Sequence, residues 1–220
     1  MRKHILPVFF LLLILAVSLT GCQSSRNNKK NDDPSFLTGL IAYYPLDGNA
    51  DIKYGIGNSG TIVGADSTQN RFQEDGKALY VVTPNYIYIT DTPNKGKFFT
   101  IAFWVKASSI STDFIEWGSL KVTQDFNRFK MRIVTTPNSA ETDEFQYDVW
   151  NHFAATYDGT RIKVYLNGKL GPVISSYTGD LNLYNEEIFI GGWNGSLDEL
   201  YIYERVLSDS EICQLAHQKQ

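Results

Sequence analysis

Polar and apolar positions alternate along much of the chain from Leu37 onward. In "RFKMRIV", Phe129, Met131 and Ile133 share one face, with Arg128, Lys130 and Arg132 on the other. In "RIKVYLNGK", Ile162, Val164 and Leu166 face inward, with Arg161, Lys163 and Tyr165 outward. A period of two puts successive side chains on opposite faces, so both segments are antiparallel strands with one buried face. Asn167-Gly168 is a two-residue hairpin turn, and Tyr157-Asp158-Gly159-Thr160 is a second turn. Other runs are apolar on both faces: "LIAYYPL", "ALYVVT", "YIYIT", "FFTIAFWVKA", "NHFAATY" and "IFIGGW". These fit central strands of a two-layer sandwich. "GSLDELYIY" reads as the closing strand, with Asp198, Leu200 and Ile202 on one face. A buried, unpaired carboxylate is costly, so an aspartate that faces the way of two core residues needs a partner. One convincing helix follows, with Ser208 as N-cap and Glu211 completing a capping box.

The first segment lies outside this pattern. Arg2 and Lys3 precede an apolar run from Ile5 to about Val17. The run is shorter than the roughly 20 residues a spanning helix requires, and residues 1–21 read as a secretory signal. Its end, Leu19-Thr20-Gly21-Cys22, resembles the lipobox of bacterial lipoproteins. That resemblance implies cleavage before Cys22 and lipidation of Cys22; an ordinary signal with a chance cysteine is the alternative. Gln23 is not the aspartate that retains some lipoproteins at an inner membrane, which by resemblance favours the outer membrane of a bacterial envelope. Residues 22–35 are polar, carry charges of both signs and read as a flexible tether. With Cys22 lipidated, Cys213 is the remaining thiol, a packed small hydrophobe beside Ile212.

The domain therefore runs over 36–220 as one all-β unit, without internal repeat or second linker. The formal charge of −4 and the lack of a long Lys/Arg run exclude a nucleic-acid footprint.

Four segments, in this order, resemble the laminin G-like family of concanavalin A-like jelly rolls. They are "LIAYYPLDGNADIKYGIGNSGTIVGA", "FTIAFWVKAS", "WNHFAATYDGTRIKVYLNGK" and "IGGWNGSLDELYIYERVLSDSEI". The resemblance implies a two-sheet antiparallel jelly-roll sandwich with a short C-terminal helix. It also implies, in many members, one structural calcium ion between the loop after the first strand and the closing strand. Carried onto this chain, its ligands are Asp51, Asn58 and Asp198. Calcium takes six to eight oxygen ligands, and Asp47-Gly48-Asn49-Ala50-Asp51 is oxygen-rich. The loop departs from the family in "DIKYG", where Lys53 has an ammonium to offer in place of an ion. Two other partners for Asp198 stay open: backbone N–H groups at a strand end, or a lysine or arginine.

Catalytic signals are missing. Glucan-cleaving members of the superfamily carry a Glu-x-Asp-x-x-Glu strand motif, and glycoside hydrolysis needs two such carboxylates. This chain has no such motif, and its His152 and His217 suggest no nucleophilic triad. Sugars stack on exposed aromatic rings, so Trp193, Trp117 and Tyr184 are the candidate ligand-binding residues, while Trp104 and Trp150 lie on central strands. The reading is a lipid-anchored, non-catalytic envelope module that recognises carbohydrate. The alternative is a protein–protein or adhesive envelope module, which the same fold also serves.

Overall fold

The computed structural model of the chain describes residues 34–92, 97–109, 113–181, 183 and 186–218. A one-turn helix α1 (Pro34–Leu37) leads into β1 (Leu40–Tyr44), β2 (Tyr54–Gly55), β3 (Thr61–Val63), β4 (Asp66–Thr68), β5 (Ala78–Val81) and β6 (Tyr86–Ile89). Then come β7 (Phe99–Ala107), β8 (Asp113–Trp117), β9 (Leu120–Asp125), β10 (Arg128–Ile133), β11 (Ser139–Glu141) and β12 (Asn151–Tyr157). The chain closes with β13 (Arg161–Leu166), β14 (Lys169–Leu170), β15 (Ser175–Ser176), β16 (Ile188–Gly191), β17 (Gly195–Tyr203) and the helix α2 (Asp209–Ala216).

These strands form two antiparallel sheets. One runs β14-β13-β12-β7-β17-β1-β2, with β15 on β13, β5 on β17 and β4 on β5; the other runs β11-β10-β9-β8-β16-β6-β3. The two-layer sandwich expected from the alternation, and the jelly roll the resemblance implies, are what the chain builds. Phe129, Met131 and Ile133 point between the sheets and meet Phe103, Phe114 and Phe153 there. Asn167 and Gly168 form the hairpin turn with φ of 51° and 79°, the left-handed pair that a tight strand reversal demands.

A second, smaller apolar cluster lies on the outer face of the ten-stranded sheet. There α2 lays Ile212 and Leu215 over Ala102, Ala154 and Tyr165. The helix starts where the sequence places it: the Ser208 hydroxyl accepts from the Glu211 N–H, and Glu211 reaches back to the Ser208 N–H. Cys213 is buried as expected. It is disulfide-bonded, however, and not the free thiol the sequence suggests.

The strand β17 differs from the simple alternation. Leu197 pairs with Val105 and Asp198 with Trp104, but the next pair is Tyr201 with Ala102. Two residues, Glu199 and Leu200, stand opposite the single residue Phe103, and Glu199 has φ of 51°. This β-bulge inserts one residue and resets the phase. Leu200 and Ile202 enter the core. Asp198 follows Trp104 onto the outer face, so it does not share a face with them.

Candidate functional site

Asp198 is fully buried on that outer face, and its partner is an arginine. Nη1 of Arg71 lies 3.3 Å from Asp198 Oδ2 and 2.8 Å from Glu199 Oε2. The guanidinium is held between the rings of Phe72 and Trp104, 4.4 and 4.5 Å from their centroids. A planar, weakly hydrated cation suits such a slot better than an ammonium would. Asn70 holds the loop that delivers it: its Oδ1 accepts from the N–H groups of Phe72 and Glu74, and its Nδ2 donates to Glu74 Oε2. Two carboxylates share one guanidinium here. Burial, with Glu199 alongside, pushes the Asp198 carboxyl up to about 8 against the opposing pull of Arg71. His152 packs its ring edge-on to Trp104, and burial holds it down at about 3. It is a neutral packing group at neutral pH.

The calcium ligands expected from the resemblance do not come together. Asp51 is exposed. Asn58 is turned to the end of β6, its amide donating to Thr90 Oγ1 at 3.0 Å and Asp91 Oδ2 at 2.6 Å. Asp198 is closed off by Arg71. Among the described residues no three carboxylate, histidine or cysteine side chains are placed to hold a metal. These residues do not fit a calcium ion, and Asp198 takes the ion-pair alternative with Arg71.

The expected aromatic ligands are also corrected. Trp193 is 1% exposed and packs on Phe114 with ring centroids 4.5 Å apart. Trp117 is 0% exposed, donates its Nε1–H to Thr92 Oγ1 and meets Phe99 edge-on. Both are core residues because their strands, β16 leading into β17 and β8, turn those positions between the sheets. Tyr184 and Cys22 lie outside the described residues.

The structure presents other aromatics instead. In β6, Ile87 and Ile89 enter the core, so Tyr86 and Tyr88 stand on the outer face of the seven-stranded sheet. In β16, Ile188 and Ile190 enter the core and Phe189 stands out beside them. Tyr88, Phe189, Glu116, Lys121 and Arg132 occupy one cross-strand row. The next residue after Ile190 is Gly191, and Phe189 leans over it: a Cβ there would lie 2.7 Å from Phe189 Cζ and 2.8 Å from Tyr86 Cβ. The missing side chain lets the ring settle against Tyr86, with centroids 5.0 Å apart. The Glu187 carboxylate hydrogen-bonds the Tyr88 hydroxyl and raises its pKa.

Beside this aromatic end the face turns ionic. Lys121 pairs with Glu116 at 2.6 Å and Asp113 at 3.3 Å, and Lys130 pairs with Asp125 at 2.8 Å and Glu141 at 3.1 Å. Exposed pairs of this kind add little stability. They do hold an ordered array of donors and acceptors next to the rings. The sequence carried this signal in the alternation "YIYI" and in "IFIG", where the outward residue of each pair is aromatic.

The family described as the concanavalin A-like lectin/glucanases superfamily, of laminin G type, matches residues 82–213. A comparison with curated proteins finds no match. Among solved structures, domain 4 of AbnA, an extracellular arabinanase from Geobacillus stearothermophilus in complex with arabinotriose, superposes with a TM-score of 0.66 at 20% identity. That match covers 81% of this chain and 98% of that domain. The binding domain of Paraclostridial Mosquitocidal Protein 1 gives 0.65 at 17% identity, over 81% of this chain and 52% of that one. A Trypanosoma rangeli sialidase mutant with trans-sialidase activity gives 0.64 at 15% identity, and this chain spans 33% of its length. At these identities the likeness concerns the fold.

Proposed function

Since the chain belongs to the concanavalin A-like lectin/glucanases superfamily, a fold that serves binding and catalysis alike, we propose that it is a non-catalytic module that binds glycan across the outer face of the seven-stranded sheet. One observation carries this reading: Phe189, laid over Gly191 against Tyr86, makes an aromatic platform bordered by ordered ion pairs. Sugar rings present an apolar face to such a platform and hydroxyls to the charged groups around it. Lys121 and Lys130 engage the carboxylates of Glu116, Asp113, Asp125 and Glu141. That suits them to holding hydroxyls in place rather than to donating a proton. The arabinotriose complex of the AbnA domain supports the reading, because a jelly roll of similar fold holds an oligosaccharide there.

Calorimetric titration of the chain with arabinotriose and a panel of gluco-, xylo- and galacto-oligosaccharides tests it. At least one member is expected to bind. Phe189→Ala and Gly191→Val are each expected to weaken that binding about tenfold, the equivalent of about 1.4 kcal/mol, with the fold retained. A negative result across the panel would overturn the glycan reading and leave the protein-partner alternative.

The module's place is the bacterial envelope, on a lipid carried by Cys22 after removal of residues 1–21. Cells fed radiolabelled palmitate are expected to yield labelled protein, and Cys22→Ser is expected to abolish the label. Unlabelled protein would overturn the lipid anchor.

A further inference from the structure

The ten-stranded sheet carries a feature that the platform does not use. Between α1, β1, β2 and the end of β17 lies a cavity of about 190 Å³. Its back wall is a ladder of tyrosines. Tyr43 stacks on Tyr201 with centroids 4.4 Å apart and planes 13° apart, and Tyr203 continues the ladder at 6.4 Å and 18°. Tyr54, 42% exposed on the edge strand, forms part of the lining, with Phe36 and Leu40 adding apolar surface.

Two polar atoms in this lining are unsatisfied. The Tyr201 hydroxyl, on a side chain only 7% exposed, has the Tyr43 hydroxyl beside it but no well-formed hydrogen bond, and Gln218 Oε1 has no partner. A buried donor or acceptor left unmade costs about 1–3 kcal/mol, so such atoms mark places where a partner arrives. One atom is a donor and the other an acceptor. Lys53, with its ammonium 5.8 Å from the Tyr43 centroid, adds donors at the mouth.

The charges around the cavity have both signs. Lys53 lies on one side, while Glu199 exerts negative charge on Tyr43 from the other. Neither an anion nor a cation is selected. What the walls offer is flat aromatic surface, one hydroxyl donor, one amide acceptor and room for one small ring.

We propose that this cavity is a second carbohydrate site, which takes a single neutral sugar ring from the end of a glycan on the sheet opposite the platform. The ring's apolar face lies on the tyrosines. A sugar oxygen accepts from Tyr201, and a sugar hydroxyl donates to Gln218 Oε1. This site stands on its own lining and does not require the platform to bind.

Saturation-transfer NMR on the Phe189→Ala chain, whose platform is disabled, with D-glucose, D-galactose and L-arabinose, each alone, tests the proposal. One of them is expected to bind. Tyr54→Ala, at a side chain 42% exposed, is expected to remove the signal while the protein stays folded. Tyr201→Phe deletes only the hydroxyl and is expected to weaken binding five- to tenfold with no loss of thermal stability. Absence of transfer with all three sugars overturns the proposal, as does transfer that survives Tyr54→Ala. Transfer seen on the wild-type chain but not on Phe189→Ala belongs to the platform: the first reading then stands and this one fails.

Discussion

Arg71→Met is expected to lower the stability of the domain by about 3–5 kcal/mol, because it leaves the buried Glu199 carboxylate and the Asp198 carboxyl beside it facing no cation. For a domain of this size that is a fall in melting temperature on the order of 10 °C. Adding calcium or a chelator to the wild-type chain is expected to leave its melt unmoved, since Arg71 occupies the carboxylate an ion would need. A clear calcium-dependent rise would instead mean a bound ion, through stabilisation by mass action. The pH dependence provides an independent readout. Folding raises the Asp198 carboxyl from 3.8 to about 8, so the folded state holds that proton more tightly than the unfolded chain. The corresponding stability is fully present below 3.8 and is lost as pH rises through about 8. Denaturation midpoints taken between pH 5 and 9 are expected to fall with pH, and Asp198→Asn is expected to flatten that fall. An equal slope in Asp198→Asn would remove Asp198 from the account.

Trp193→Ala is expected to cost a further large amount, about 3–5 kcal/mol, by opening a cavity beside Phe114 in the centre of the sandwich. The indole has no role on the surface. Glycan affinity per folded molecule is therefore expected to match wild type at a temperature where the variant remains native. A selective loss of affinity at full stability would return Trp193 to the binding site. Phe189→Ala is the opposite case, with affinity lost and stability largely kept. The two variants together separate packing from recognition among aromatics that look alike in composition.

The two-layer β-sandwich was legible in the residues themselves, and the resemblance to the laminin G-like family supplied the jelly roll. "RFKMRIV" and "RIKVYLNGK" alternate cleanly, and a period of two leaves one choice of buried face. Asn167-Gly168 and the Ser208 and Glu211 pair are local devices whose geometry depends on a few neighbouring residues, so they hold in the structure. The site depended on what lies far away in the chain. "IFIGGW" contains both Phe189 and Trp193, and nothing local says which is outside. The turn at Gly192 and the phase of β16 decide it, sending Trp193 between the sheets. Asp198 shows the same limit. Strict alternation puts it with Leu200 and Ile202, but one inserted residue at Glu199 reverses its face. Its partner Arg71 stands 127 positions earlier, in a loop with no strand period to read. The sequence by itself determined which elements form and which faces are apolar, because those follow from backbone geometry and side-chain type. Tertiary structure alone decided which buried charge meets which and which rings reach the surface, because register, bulges and loop approach are set by the whole packed sandwich.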